Sequence, residues 1–187
     1  MSRGKVLIVA LVLAAGLVAG STVALSCGFH DPGSISSARG FLNWMYPKAL
    51  YIETALWRAQ QQGIISRDER PTAVEKLLGS GIAARRLGAF RDRLSTHLDH
   101  RVAPAFTMVL FGPMLWTRFQ ATGATLNMTP HVDGPSKGDV VIVTDEPVIA
   151  ALIERRITPQ TAREIGLMRF YGSAEVVREV MEWLDRS

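Results

Sequence analysis

The chain has 187 residues, of which 48% are apolar and 20% are charged. These proportions exclude a disordered chain and suffice for one packed domain with an additional segment. The formal net charge is +4, and two of the positive charges, Arg3 and Lys5, precede a long apolar run at the amino terminus. The small positive charge of the remainder gives no support to nucleic-acid binding, so no nucleic-acid partner is expected.

Residues 1–26 are predicted to be a signal peptide or a membrane anchor. A positive start is followed by an uncharged run from Val6 to Ser26, which is long enough to span a bilayer. The body of the protein is therefore expected to be exported, either to the periplasm or to the periplasmic face of the inner membrane. The sequence Ala24-Leu25-Ser26-Cys27 resembles a bacterial lipoprotein box, which implies lipidation of Cys27. Cleavage, lipidation and retention as an anchor all remain open.

The only cysteine of the chain is Cys27, so no internal disulfide can form. A thiol and an imidazole three residues apart, Cys27 and His30, could both bind a Cu(I) or Zn(II) ion, and this pair is a candidate metal site. Two ligands are fewer than the three or four of a tight site. No cofactor is predicted.

Residues 27–80 are predicted to form a helical region. The Pro, Gly and Ser residues of the stretch 32–37 indicate a flexible link. The stretch 38–62 then has an apolar helical pattern, which Pro47 is expected to divide into two helices.

Three aromatic residues of this region, Trp44, Tyr46 and Trp57, have more than one interpretation. Packing against a neighbouring helix is favoured, because large aromatic side chains are mostly buried. A ligand cleft and a position at the lipid headgroups are the alternatives.

A longer amphipathic helix is predicted to follow Gly81. Its apolar residues share one face: Ala83, Leu87, Phe90, Leu94 and Leu98. Four arginines of the same helix are expected on its solvated side: Arg85, Arg86, Arg91 and Arg93.

Three segments with strand composition come next, and the short turns between them favour an antiparallel meander. They are Phe106 to Phe111, Leu115 to Gln120 and Thr125 to Thr129. The mixed polar and apolar code of the second segment favours a sheet with helices on one side and a ligand or a membrane on the other.

The carboxyl-terminal stretch has well-marked boundaries between its elements. A strand at Val140 to Val143 is followed by Asp145, the predicted cap of a helix with one apolar face. A second cap is predicted at Thr158 and a helix end at Gly166, where a positive φ is easiest for glycine. A short strand and a last helix capped by Ser173 complete the stretch.

This stretch resembles the C-terminal half of the sterol carrier protein 2 (SCP2) fold. The residues that carry the resemblance are 139–144, 157–162, 166–170 and Gly172. Where the family often has Asp-Pro, this chain has Thr158-Pro159, which retains the capping group. Together with the helix and meander upstream, the resemblance implies an SCP2-like α+β domain over residues 81–187, with a small antiparallel or mixed five-stranded sheet covered by helices.

Domains of this kind leave an apolar tunnel between sheet and helices for a lipid or an acyl chain. The resemblance implies that apolar side chains of the strands and helices line such a tunnel here. The candidates are Phe106, Met108, Leu110, Leu115, Phe119, Leu126, Met128, Ile149, Ile153, Met168, Phe170 and Met181.

The sequence therefore predicts an exported, membrane-associated, non-enzymatic protein that binds or presents a lipid, an acyl chain or a quinone. No catalytic constellation is recognised, since Asp139, Asp145 and Glu146 each have a sufficient role in a cap or a turn. One alternative is a periplasmic metal-binding or redox accessory protein that uses Cys27 and His30. Another is an assembly subunit of a membrane protein complex, docked through the helices around Trp44 and Trp57.

Overall fold

The computed structural model describes residues 32–67, 79–96 and 104–186. The predicted anchor, Cys27, His30 and Leu98 lie outside these ranges. The helices are α1 (Pro32–Met45), α2 (Tyr51–Gln61), α3 (Gly79–Ser95), α4 (Glu146–Ile153), α5 (Pro159–Glu164) and α6 (Ala174–Asp185). The strands are β1 (Phe106–Leu110), β2 (Leu115–Thr122), β3 (Thr125–Pro130), β4 (Val140–Thr144) and β5 (Arg169–Tyr171).

The five strands form one mixed sheet in the order β3-β2-β1-β4-β5. The first three strands are an antiparallel meander, as predicted. β4 returns to pair in parallel with β1, and β5 pairs antiparallel with β4. The predicted α+β class with a five-stranded mixed sheet and helices is confirmed.

One face of the sheet forms the main core with α3, α4 and α6. Phe106 of β1 stacks on Phe119 of β2, with ring centroids 4.8 Å apart. Phe90 of α3 meets Phe119 edge-on at 6.5 Å, and Trp183 of α6 meets Phe106 at 5.9 Å. The aromatic rings therefore connect β2 to α3 and β1 to α6. On the predicted apolar face of α3, Ala83, Leu87 and Leu94 are buried.

The opposite face of the sheet is covered at one end by the amino-terminal helices. Leu42, Ala49 and Ile52 are buried there in a second core with Val109, Phe111, Met114, Trp116, Val141 and Val143. Helices thus lie on both faces of the sheet, which the sequence did not indicate. The predicted helical region and the predicted SCP2-like region share this core.

The helix α4 is more deeply buried than its sequence pattern suggested. Asp145 caps it as predicted, because its Oδ1 accepts from the backbone N–H of Glu146 at 2.8 Å. However, every residue from Glu146 to Leu152 is buried, so the expectation of a single apolar face is wrong. Glu146 is one of these buried residues. Its carboxylate forms an ion pair with Arg86, whose Nη1 lies 3.1 Å from Oε1 of Glu146.

Two of the four arginines expected to be solvated instead hold α4 in place. Besides the Arg86 ion pair, Arg93 donates from Nη1 to the backbone carbonyls of Leu152 and Ile153 at the last turn of α4. The Leu152 carbonyl also accepts from the backbone N–H of Arg155 at 3.1 Å. A cation beside the last carbonyls of a helix favours the helix end. Two of the arginines of α3, Arg86 and Arg93, therefore bind α4.

Two stretches that were predicted to precede a helix, 32–37 and 79–81, are themselves helical in the structure. The stretch 32–37 opens α1, and Gly79 to Gly81 open α3. A first turn tolerates Pro, because its N–H would have no helical partner in any case, and glycine costs only about 1 kcal/mol there. The predicted caps Thr158 and Ser173 are confirmed, with Oγ1 accepting from Thr161 N–H at 3.0 Å and Oγ from Val176 N–H at 3.4 Å.

Candidate functional site

A surface cavity of about 490 Å³ lies between α5 and α6. The two short segments that form it are tied together where the backbone N–H of Gln160 donates to Asp185 Oδ1 at 3.0 Å. The lining residues are Gln160, Arg163, Glu164, Ala174, Val177, Arg178, Met181, Glu182 and Asp185.

The cavity has an apolar part and a charged rim. Its apolar groups come from α6, where Ala174, Val177 and Met181 follow one another at helical spacing. Met181 is buried and Val177 is half-buried. Six of the nine lining residues are polar or charged, so the apolar part of the cavity is confined to one side of α6.

The carboxylates of the rim already have partners. Gln160 Nε2 donates to Glu164 Oε1 at 2.8 Å, and Arg178 lies 3.8 Å from Glu182. Arg163 has a different contact, because its guanidinium lies over the Phe170 ring at 5.9 Å. Among the residues that the structure describes, no carboxylate is in ion-pair contact with Arg163. The rim therefore presents one cation that an acidic ligand group could pair with.

The twelve residues predicted to line an apolar tunnel lie mainly in the packed core. Met181 lines the cavity between α5 and α6. Eight others are buried in the main core: Phe106, Met108, Leu110, Leu115, Phe119, Leu126, Ile149 and Met168. Met128, Ile153 and Phe170 are partly buried against it. That these eleven residues contact a ligand remains a prediction.

A second notable surface lies on the outward sides of α1 and α2. We name it the aromatic surface, and it consists of Phe41, Trp44, Met45, Leu50, Tyr51 and Trp57. Trp44 is 76% exposed, Tyr51 60% and Trp57 55%. Within the described residues, the one other exposed large apolar side chain is Ile165, at 39%. The favoured expectation that Trp44 and Trp57 pack against a neighbouring helix is therefore wrong.

Tyr46 is packed inside, in contrast to the two tryptophans. Its ring lies 5.2 Å from that of Tyr171 and 6.0 Å from that of Trp116. The Tyr171 hydroxyl donates to the Pro47 carbonyl at 2.7 Å, which fixes the turn between α1 and α2 on the sheet. Tyr46 is therefore packed, but against the sheet and not against a neighbouring helix as expected.

Arg39 fastens α1 to the turn between β1 and β2. Its Nη2 donates to the Gly112 carbonyl at 2.8 Å and its Nε to the Phe111 carbonyl at 3.2 Å. Its Nη1 pairs with Glu53 of α2 at 3.2 Å, and the guanidinium lies over the Phe111 ring. One side chain thus joins both amino-terminal helices to the end of β1.

The three acidic residues considered for acid or base chemistry are held in structural contacts. Asp139 forms an ion pair with Arg118, and Glu146 with Arg86. Burial raises the pKa of the Asp145 carboxyl, although its hydrogen bonds from Glu146 N–H and Gly112 N–H act in the opposite direction. The roles in caps and turns suggested by the sequence agree with these contacts.

The candidate metal and membrane segments fall outside the described part of the chain. Across residues 32–67, 79–96 and 104–186, no group of three or more His, Cys, Asp or Glu side chains is arranged to hold a metal ion. The pair Cys27 and His30 is not among these residues, so the metal site stays a prediction. In the same ranges, no helix combines the length and the apolarity needed to cross a bilayer.

Comparison with known proteins gives similarities of fold. No family model and no curated protein matches the chain. A sec-alkylsulfatase from Pseudomonas sp. is 20% identical, with a TM-score of 0.41, over 51% of this chain and 16% of its own. A ubiquinone synthesis protein, UbiJ-SCP2, is 13% identical, with a TM-score of 0.36, over 60% of this chain and 96% of its own.

An SCP2 protein is thus among the matches. A further match is a conserved hypothetical protein from Thermus thermophilus, described as a possible sterol carrier protein. It is 19% identical, with a TM-score of 0.30, over 55% of this chain and 81% of its own. These similarities concern the fold alone, and this chain spans 16% of the sulfatase.

Sequence reasoning found Met181 but missed the rest of the cavity as a site. The rim residues Gln160, Arg163 and Asp185 belong to two helices whose contact the sequence does not reveal. One signal was available in the sequence of α6, where charged residues lie one helical turn from apolar residues and so share a face with them.

Proposed function

We propose that the protein is an exported, membrane-associated and non-enzymatic binder of an apolar ligand, either a lipid, an acyl chain or a quinone. The observation that carries the proposal is the cavity of about 490 Å³ between α5 and α6, with Val177 and Met181 in its apolar part. Its volume lies within the usual range for ligand pockets, about 300–1,000 Å³. Methionine suits such a pocket because its flexible, polarizable side chain adapts to varied apolar shapes.

The charge at the rim favours an acyl chain with a carboxylate over a quinone. Arg163 contacts the Phe170 ring, and its planar guanidinium offers a fork of donors that matches a carboxylate. A quinone offers only neutral carbonyl acceptors, so its hydrogen bonds with arginine lack the pairing of opposite charges that a carboxylate provides.

The non-enzymatic part of the proposal is supported by the engagement of the acidic side chains. Asp139 and Glu146 are each paired with an arginine, and Asp145 caps α4. A general acid or base needs a proton-transfer path to a substrate atom, whereas these groups hold elements of the fold together.

Displacement of a fluorescent fatty acid from the purified protein tests the proposal. We expect saturable binding, and we expect Val177→Trp to weaken it at least about tenfold because the indole fills the apolar part of the cavity. Glu175→Trp, on the exposed side of the same helix, is the matched control and should bind as the wild type does. Absence of saturable binding together with no lipid, acyl chain or quinone in native mass spectra would exclude the proposal.

The proposed preference for a ligand with a carboxylate is tested separately. Arg163→Gln should weaken binding of a fatty acid but leave binding of its methyl ester unchanged, since only the acid carries the charge. Arg186→Gln is the control, because Arg186 is exposed and is not part of the cavity lining. Equal losses for acid and ester would show that Arg163 acts through packing and would remove the preference for a carboxylate.

Export and attachment to the membrane are part of the proposal, and the mass of the mature amino terminus tests them. The mass of a chain that begins at Cys27 and carries acyl groups would indicate a lipoprotein, and the mass of the full-length chain would indicate an anchor.

The redox or metal-binding alternative predicts copper or zinc in the purified protein, and this metal should be absent from the variant His30→Ala. The aromatic surface is the observation that favours an alternative role as an assembly subunit of a membrane complex.

A further inference from the structure

We infer that the aromatic surface lies against the lipid bilayer, with its tryptophan and tyrosine rings at the level of the headgroups. The inference rests on the membrane association in the proposed function. It adds the face through which the folded part of the protein meets the membrane, and the orientation that follows for the cavity and the sheet.

The helices that carry this surface have large apolar side chains on their outward sides as well as on the sides that face the sheet. Their inward residues Leu42, Ala49 and Ile52 are fully buried against the sheet. A helix that covers a core on one side normally has polar residues on the other. Here large apolar side chains are exposed beside polar ones such as Thr54, Arg58 and Gln61, and Phe41 stacks on Trp44 at 5.7 Å without covering it. The outward side is therefore a mixed surface on which the described part of the fold leaves large aromatic rings uncovered.

The residue types of the surface are those enriched where proteins meet lipid headgroups. Trp44, Tyr51 and Trp57 each combine a large apolar ring with a polar N–H or O–H, so one end of the side chain enters hydrocarbon and the other stays hydrated. Removal of such rings from water is favourable roughly in proportion to the apolar area that is buried. Three of them on consecutive helices form a substantial interfacial anchor.

The charge around the surface suits anionic lipids. Residues 36–62 contain three basic side chains, Arg39, Lys48 and Arg58, and one acidic side chain, Glu53. The Glu53 carboxylate is paired with Arg39, which leaves Lys48 and Arg58 as exposed cations beside the aromatic rings. Basic residues next to an apolar helix face are the usual composition of interfacial helices.

The chain itself keeps this surface near a membrane. The apolar run ends at Ser26 and α1 begins at Pro32. Six residue steps span at most roughly 20 Å even when fully extended. A bilayer-embedded run, or an acyl group on Cys27, would therefore hold the start of α1 within that distance of the lipid. This short tether favours a lipid surface over a distant protein partner.

Tryptophan quenching in vesicles tests the inference with the full-length chain. The chain has four tryptophans: Trp44 and Trp57 on the surface, and Trp116 and Trp183 buried in the cores. We expect lipids brominated near the headgroup, in phosphatidylcholine vesicles with one quarter phosphatidylglycerol, to quench roughly half of the fluorescence, because two of the four rings would contact lipid. Access of acrylamide to the same rings should fall when the vesicles are added.

Two variants that retain all four tryptophans complete the test. The double variant Leu50→Glu, Tyr51→Glu should lose most of the quenching, because two charges would oppose insertion. Ile165→Glu, at an exposed apolar residue outside the surface, should be quenched as the wild type is. Unchanged quenching in the double variant would overturn the inference, and acrylamide access in solution would verify that the buried tryptophans remain protected.

The outcomes separate the inference from the proposed function. A wild-type chain that sediments with vesicles but shows no quenching by brominated lipid would overturn the inference alone, since the surface would then face water or another protein. A chain that does not sediment would overturn both the inference and the proposed membrane association. Fatty-acid displacement does not depend on either result, so ligand binding is judged independently.

Discussion

The side chain of Arg118 donates two hydrogen bonds to the carboxylate of Asp139, one from Nε at 2.8 Å and one from Nη2 at 3.1 Å. Thr107 Oγ1 and the backbone N–H of Ser136 donate to the same carboxylate, at 2.7 and 3.2 Å. The Asp139 side chain is 3% exposed. It therefore joins β1 and β2 to the loop that leads into β4.

Replacing Asp139 with Asn should lower the free energy of unfolding by about 3 kcal/mol, because it leaves Arg118 without its charged partner. Glu154→Gln is the control, since its exposed ion pair with Arg156 should contribute less than about 1 kcal/mol. Urea unfolding measured on both variants checks this. Equal losses would mean that the Asp139 contacts contribute no more than a surface pair.

The same carboxylate should make stability depend on pH at the acidic end. Burial disfavours the charged form, but the hydrogen bonds from Arg118, Thr107 and Ser136 N–H outweigh it, so the pKa of Asp139 lies below its ordinary value. The unfolded chain then binds a proton first as the pH falls. The stabilisation by Asp139 is present above about pH 4 and is lost below it. Unfolding curves of the wild type and Asp139→Asn should therefore converge as the pH is lowered.

Replacing Thr117 should increase the stability of the fold. Its side chain is fully buried, and its Oγ1 has no hydrogen-bond partner among the described residues. Thr117→Val replaces this hydroxyl with a methyl group of similar shape, so we expect the free energy of unfolding to rise by about 1 kcal/mol. A thermal unfolding scan measures the change. A lower melting temperature would indicate that the hydroxyl is hydrated or bonded in solution.

Gly112 should not tolerate a side chain. A Cβ at this position would lie 2.9 Å from Oδ1 of Asp145, the atom that also accepts from the Gly112 N–H at 3.1 Å. We expect Gly112→Ala to cost about 1–3 kcal/mol, because the cap of α4 must shift. Gly88→Ala is the matched control, since its Cβ meets no atom within 4 Å and a helical alanine should stabilise by about 0.5–1 kcal/mol.

Local signals in the sequence were sufficient to predict most of the elements. The caps Asp145, Thr158 and Ser173 are chemical features of a few residues, and all three side chains accept the expected backbone hydrogen bond. The positive φ of 80° at Gly166 is equally local. The antiparallel meander follows from strand composition and short turns between neighbouring segments.

Contacts between distant segments were not predictable in the same way. Arg39 and Phe111 are 72 residues apart, and the arginine's role at the end of β1 depends on the position of α1 over the sheet. The burial of α4 on all sides likewise depends on α3, whose Arg86 and Arg93 neutralise its polar groups. The candidate cavity has the same origin, since its rim requires α5 and α6 to meet.

The parallel pairing of β1 with β4 has a consequence for synthesis of the chain. Phe106 pairs with Val140, so the second edge of β1 acquires its partner only after the whole meander and the following loop have been made. Until then the ribosome-bound nascent chain has an open and largely apolar strand edge, the feature through which unfinished chains aggregate. A ribosome that pauses after the meander has left the exit tunnel, while β4 is still inside it, would expose that edge longest. Slow translation of the codons downstream of β4 should therefore make the nascent protein dependent on chaperones.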